Sequence, residues 1–146
     1  MMDIYDTQAA RQVWKRVGLL PTEPSPEEGL QALLDREWEL YRFYRAQGRR
    51  GHCWGELARQ TCGRLRQLQA VHYLKTGCRM PCQKRATGPA CLSPDSLRRA
   101  IELTRQAAQD YARLAGAGQH PTLFSAMAQQ QERHGQYLLE QLAALL

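Results

Sequence analysis

From Ser25 to the C-terminus, apolar residues recur every three or four positions, and no stretch alternates with a period of two for long. That spacing lines up side chains on one face of an α-helix and leaves no template for a half-buried strand. An all-α fold is therefore expected. Alanine, leucine, glutamine and arginine, all good helix formers, dominate the chain, and glycine and proline collect at a few points that divide it into helices. In "TEPSPEEGL", Ser25 is an expected N-cap, Pro26 the first helical residue and Glu28 the returning partner of a capping box. This helix should end near Gly48 and Gly51. A second runs from about Cys53 to Gly77, a third opens at Ser93 and Pro94 and closes at "GAGQHP", and a fourth runs from Pro121 almost to Leu146. "CRMPCQKRATGPAC" is the one long irregular stretch. Short links within each pair of helices and a longer one between the pairs are the wiring of an antiparallel four-helix bundle, assigned to residues 25–146. Residues 1–24 would add a short N-terminal helix and linker, with Val13, Trp14 and Val17 flanking the bundle.

A chain of 146 residues with 43% hydrophobic content can bury one core, and it contains no apolar run long enough to cross a bilayer. The opening "MMDIYDTQAARQVWKRVG" does not follow a secretory-signal pattern, so a cytoplasmic protein is expected, with no membrane partner. The formal charge of +6 is carried almost entirely by arginines scattered over several helices. Solvated helix faces account for such a distribution, and a nucleic-acid partner is not expected, because the interleaved aromatics of a stacking platform are missing. Phosphate loops, serine elbows and dinucleotide fingerprints are also missing.

The apolar stripes carry polar residues near their middles. The first helix presents Leu30, Leu33, Leu34, Glu37, Trp38, Tyr41 and Tyr44, and the second Leu57, Thr61, Arg64, Leu65, Leu68 and Val71. The third presents Leu97, Ile101, Thr104, Ala108, Tyr111 and Leu114, and the fourth Phe124, Met127, Gln131, His134, Leu138 and Leu142. In an antiparallel bundle these polar groups fall at a similar level and should meet.

The phrases "EWELYRFYRAQG", "VHYLKTG", "LRRAIELTRQAAQDY" and "MAQQQERHGQYLLEQL", in that order and spacing, resemble the ferritin-like, rubrerythrin-related proteins of bacteria over roughly residues 30 to 146. The resemblance implies a carboxylate-bridged diiron site built from one Glu on each of two helices and a Glu-x-x-His pair on each of the others. Position by position, the first-helix glutamate falls on Glu37, seven residues before Tyr44. The second-helix pair falls on Thr61 and Arg64, the third-helix glutamate on Thr104, and the fourth-helix pair on Gln131 and His134. Only Glu37 and His134 keep a ligand's chemistry, and arginine cannot deprotonate to make room for a cation. Glu56, Glu102 and Glu132 should face solvent, because a shift of one or two positions rotates a helical side chain by about 100 to 200°. The expected site is thus a relic. Arg64 would pair with Glu37, and Thr61, Thr104, Gln131 and His134 would satisfy one another directly or through buried water. The alternative has Glu37 and Arg64 reaching out of the bundle.

Of the five cysteines, Cys78, Cys82 and Cys91 share the irregular link, with Cys53 and Cys62 on the second helix. Free thiols are the expected state, with a zinc site or a link disulfide as alternatives; "CRMPC" lacks the second closely spaced pair of structural zinc. The expected function is a non-catalytic, metal-free scaffold or interaction module, with a helix-packed homodimer through exposed aromatics such as Trp14, Trp54 and Tyr137. The alternatives are a diiron-type oxidoreductase handling peroxide, oxygen or iron, with iron held by Glu37 and His134, and a basic protein binding RNA or an anionic surface.

Overall fold

The computed structural model describes residues 26–80 and 91–146, with side chains from Gly29 onward. Among the described residues there are four long helices: α1 (Pro26–Ala46), α2 (His52–Thr76), α3 (Pro94–Gly116) and α4 (Pro121–Leu145). A 3-10 turn at Gly48–Arg50 joins α1 to α2, and no strand is present among the described residues. The proposed cap at Ser25, the segment 1–24 and Cys82 lie outside the described residues.

Local chemistry explains the boundaries. The C-cap of α2 is Gly77, at φ +70°, whose N–H donates to the Tyr73 carbonyl at 2.8 Å. Glycine enters that left-handed region without the steric cost a Cβ would add. The Ser93 side chain accepts from the Ser96 backbone N–H at 3.1 Å, and the Ser96 hydroxyl accepts from the Ser93 N–H at 2.9 Å, closing a capping box at the start of α3. Pro94 and Pro121 occupy first turns, where a missing N–H costs nothing.

Contacts between helices define the directions. Arg36 of α1 pairs with Asp110 of α3, whereas Tyr44, further along α1, faces Thr104 earlier in α3. Those helices are antiparallel. Arg64 and Gln60 of α2 reach Gln130 and His134 of α4 in the same reversed order. The helices therefore circle as α1, α2, α4, α3, with α2 and α3 on a diagonal and running parallel. The end of α2 and the start of α3 accordingly lie at opposite ends of the bundle.

Two apolar clusters fill the interior. One, toward the start of α1, gathers Leu30, Leu33 and Leu34 with Leu68, Tyr111, Phe124 and Met80. The other, toward the end of α1, gathers Leu40 and Tyr44 with Trp54, Leu97, Leu103 and Leu138. Between them lie Glu37, Thr61, Arg64, Thr104, Gln131 and His134, all buried. None of the described helices is long and apolar enough to cross a membrane.

The core differs in places from the stripes read in the sequence. On α3 the buried positions are Ser96, Leu97, Ala100, Leu103, Thr104, Ala107 and Tyr111, while Ile101 and Ala108 are half-buried. The helix packs against both α1 and α4, which centres its buried arc between the two seams. Trp54, expected to be exposed, is only 3% exposed, because Phe43 and Tyr137 meet its ring edge-on at 5.8 and 5.4 Å. It cannot serve a dimer contact in this state. Tyr137 is half-buried against it.

Candidate functional site: a buried ion-pair layer

All four helices contribute to the polar layer, because each breaks its apolar stripe at the same height. Glu37 on α1 is fully buried and Arg64 on α2 is 1% exposed. They do not reach out of the bundle. Arg64 Nε donates to Glu37 Oε2, and Nη2 stands 3.5 Å from Oε1. The rest of the guanidinium is also engaged: Nη2 donates to Thr61 Oγ1 at 3.0 Å and Nη1 to Gln130 Oε1 at 2.6 Å. Two further donors converge on the carboxylate, the Tyr111 hydroxyl on Oε2 at 3.1 Å and Gln131 Nε2 on Oε1. Burial holds the Glu37 carboxyl above its ordinary range, and Arg64, Tyr111 and Gln131 oppose that shift without cancelling it. Every donor aimed at the two oxygens fits the ionised form. The layer thus pairs a positive and a negative group, each held by four hydrogen-bond contacts, the condition under which a buried pair offsets its desolvation.

Thr61, Thr104, Gln131 and His134 make no direct hydrogen bonds to one another; each has a separate protein partner. Thr61 Oγ1 donates back to the Leu57 carbonyl at 2.7 Å, and Thr104 Oγ1 to the Ala100 carbonyl at 2.6 Å. A threonine inside a helix has an acceptor one turn back, so it needs no second helix. Gln131 serves Glu37, and His134 Nε2 lies 2.7 Å from Gln60 Oε1. Burial, reinforced by the nearby Arg64 charge, pushes the His134 imidazole down to about 3, so it is neutral at ordinary pH.

Three participants were not singled out in the sequence as polar partners. Tyr111 was read as an apolar stripe member, although a core-facing tyrosine always brings a hydroxyl in search of a partner. Gln60 and Gln130 sit one position off their stripes, from which a long side chain still reaches a seam between helices. Glu56 and Glu102 instead bind Arg59 and Arg105 on their own helices, and Glu132 is exposed.

This donor set does not fit a pair of metal ions. Hard divalent cations require several carboxylate oxygens, and the layer supplies one carboxylate, already saturated by four donor contacts. A guanidinium beside it opposes any further cation. Among the described residues, no three His, Cys, Asp or Glu side chains gather around a point where an ion would sit. Nor does the fold bring together the link cysteines on either side of Cys82. Cys78 follows α2 at the Met80 end, and Cys91 precedes α3 at the Leu92 end; both are exposed free thiols.

Fold and site together define an all-α protein, with four long helices among the described residues, whose centre is a neutral, hydrogen-bonded ion pair. No family model, curated protein or solved structure matches the chain.

Proposed function

We propose that this protein is a ferritin-like, rubrerythrin-related bundle that works without a metal, as a non-catalytic scaffold or interaction module. The observation that carries the reading is Arg64. A permanently charged guanidinium lies at the height where the resemblance calls for a ligand, and it neutralises the one carboxylate there. A fixed cation does the electrostatic work an ion would otherwise do, and it lets the bundle hold its shape with no cofactor. No acid or base in the layer is placed to move a proton: Glu37 is saturated, and the imidazole of His134 remains neutral down to about pH 3.

The test is metal analysis of protein purified without an affinity tag, before and after anaerobic incubation with ferrous iron, together with thermal melts of both samples. The expected result is sub-stoichiometric iron and an unchanged melting temperature. Near-stoichiometric iron with a raised melting temperature would overturn the proposal and favour a diiron-type oxidoreductase.

A further inference from the structure

The arginines are spread along the chain, but the acids that could neutralise them are not. Between Leu40 and Pro94 the sequence holds eleven arginines and lysines against one acid, Glu56, whereas the rest of the chain holds nine against thirteen. The middle segment thus carries a formal +10 and the remainder −4. Ion pairing sharpens the division. All four arginines of α3 are paired: Arg98 with Asp95, Arg99 with Glu39, Arg105 with Glu102 and Arg113 with Asp110. In the middle segment Arg59 pairs with Glu56 and Arg64 with Glu37. Arg49, Arg50, Arg66 and Arg79 are exposed and form no ion pair among the described residues.

Helix α2 gathers part of this charge on one face. His52, Arg59, Arg66 and Tyr73 are all exposed and follow one another at intervals of seven residues, which keeps them on one side of the helix with a drift of about 20° per step. The stripe is about 32 Å long, with the small residues Gly63 and Ala70 between its larger members. Arg49 and Arg50 precede it and Arg79 follows it. Beside its last member lies a groove of about 740 Å³, lined by Gln69, Ala70, Tyr73, Arg79 and Met80. Tyr73, 56% exposed, gives that groove an aromatic wall.

We infer that this face of α2 binds single-stranded nucleic acid, with the unpaired arginines holding phosphates and Tyr73 stacking a base in the groove. A guanidinium fork matches the oxygens of a phosphate, and an aromatic ring accepts any base on its π-face. One aromatic rather than a row of them makes the binding backbone-dominated and tolerant of sequence. An anionic membrane fits less well. A helix that lies in a lipid surface needs a continuous apolar face, whereas the large apolar side chains exposed on α2 are Tyr73 and Leu74, both at one end. A protein partner also fits less well, because the core of a protein interface is depleted of charge and the middle of this stripe is arginine. The face lies outside the buried ion-pair layer, so the inference stands or falls independently of metal content.

Fluorescence anisotropy of a labelled oligouridine of about 20 nucleotides, titrated with the full-length protein, tests it. With four unpaired arginines on phosphates, the affinity should fall about 50-fold between about 50 and about 200 mM salt, a log–log slope near −3. Arg66→Gln with Arg79→Gln should weaken binding at least about tenfold and reduce that slope by about half. Arg105→Gln with Arg113→Gln, an equal loss of charge from ion-paired positions on α3, should change neither. Tyr73→Ala should weaken binding about fivefold or more with the slope unchanged, since stacking releases no counterions. The same titration is repeated with vesicles containing about 30% phosphatidylserine. No binding of oligouridine by the native protein at about 100 µM and low salt would overturn the inference. So would equal weakening by the two arginine pairs, full affinity in Tyr73→Ala, or binding to the vesicles without binding to oligouridine.

Discussion

Replacing Glu37 by glutamine probes the ion-pair layer most directly, because it keeps the shape of the side chain and removes only its charge. In the native protein the carboxylate accepts from Arg64, Tyr111 and Gln131. A glutamine would turn an NH2 group toward at least one of these donors and would leave the Arg64 guanidinium, 1% exposed, without a countercharge. Arginine cannot relieve the strain by losing its proton, so the cost should be that of breaking a buried pair on one side, about 3–5 kcal/mol. For a chain of this size each kcal/mol lowers the melting temperature by about 2–4 °C, which gives an expected drop of about 6–20 °C. Thermal and urea melts of the two proteins at neutral pH measure it. A loss below about 1 kcal/mol, the worth of an exposed pair, would refute the argument. A double-mutant cycle separates charge from packing: Glu37→Leu with Arg64→Met should be more stable than Glu37→Leu alone, because the second substitution removes the uncompensated cation.

His134 predicts an acid response. Its folded-state pKa, near 3, lies below the ordinary histidine value of 6.5, so below pH 6.5 the unfolded chain takes up a proton that the folded chain refuses. Stability should therefore fall as pH drops from about 6.5 to about 3, with His134 contributing as much as about 5 kcal/mol at the acid end. Urea melts of native protein and His134→Gln across that range should diverge in slope; parallel pH profiles would show that burial does not hold the imidazole neutral. Ser93→Ala removes the acceptor of the α3 capping box and should cost about 0.5–2 kcal/mol in the same melts, with the fold unchanged by circular dichroism.

The six polar residues at the heart of the bundle were legible in the sequence for one reason. Each interrupts an apolar stripe at a position that helical spacing sends inward, and one or two polar interruptions per stripe stand out against leucine and alanine. The Glu37–Arg64 pair followed, since an acid and a guanidinium at one height in a core have no better partner. The other partners were not legible. Threonines 61 and 104 are satisfied by their own helices, whereas Gln131 and His134 depend on Glu37 and Gln60, which belong to different helices and come within reach only after docking. The burial of Trp54 had the same cause, because it sits at the start of α2, where periodicity is short and the covering rings of Phe43 and Tyr137 arrive from α1 and α4.

The amino-acid sequence by itself determined the helices, their caps at Ser93 and Gly77, and which residue types face inward, because these depend on neighbours within a few positions along the chain. Tertiary structure alone decided that the helices circle as α1, α2, α4, α3, that Tyr111 and Gln131 complete the Glu37 carboxylate, and that His134 meets Gln60. Such matches depend on atoms far apart in sequence and on differences of an ångström in helix rotation and height, which local periodicity does not encode.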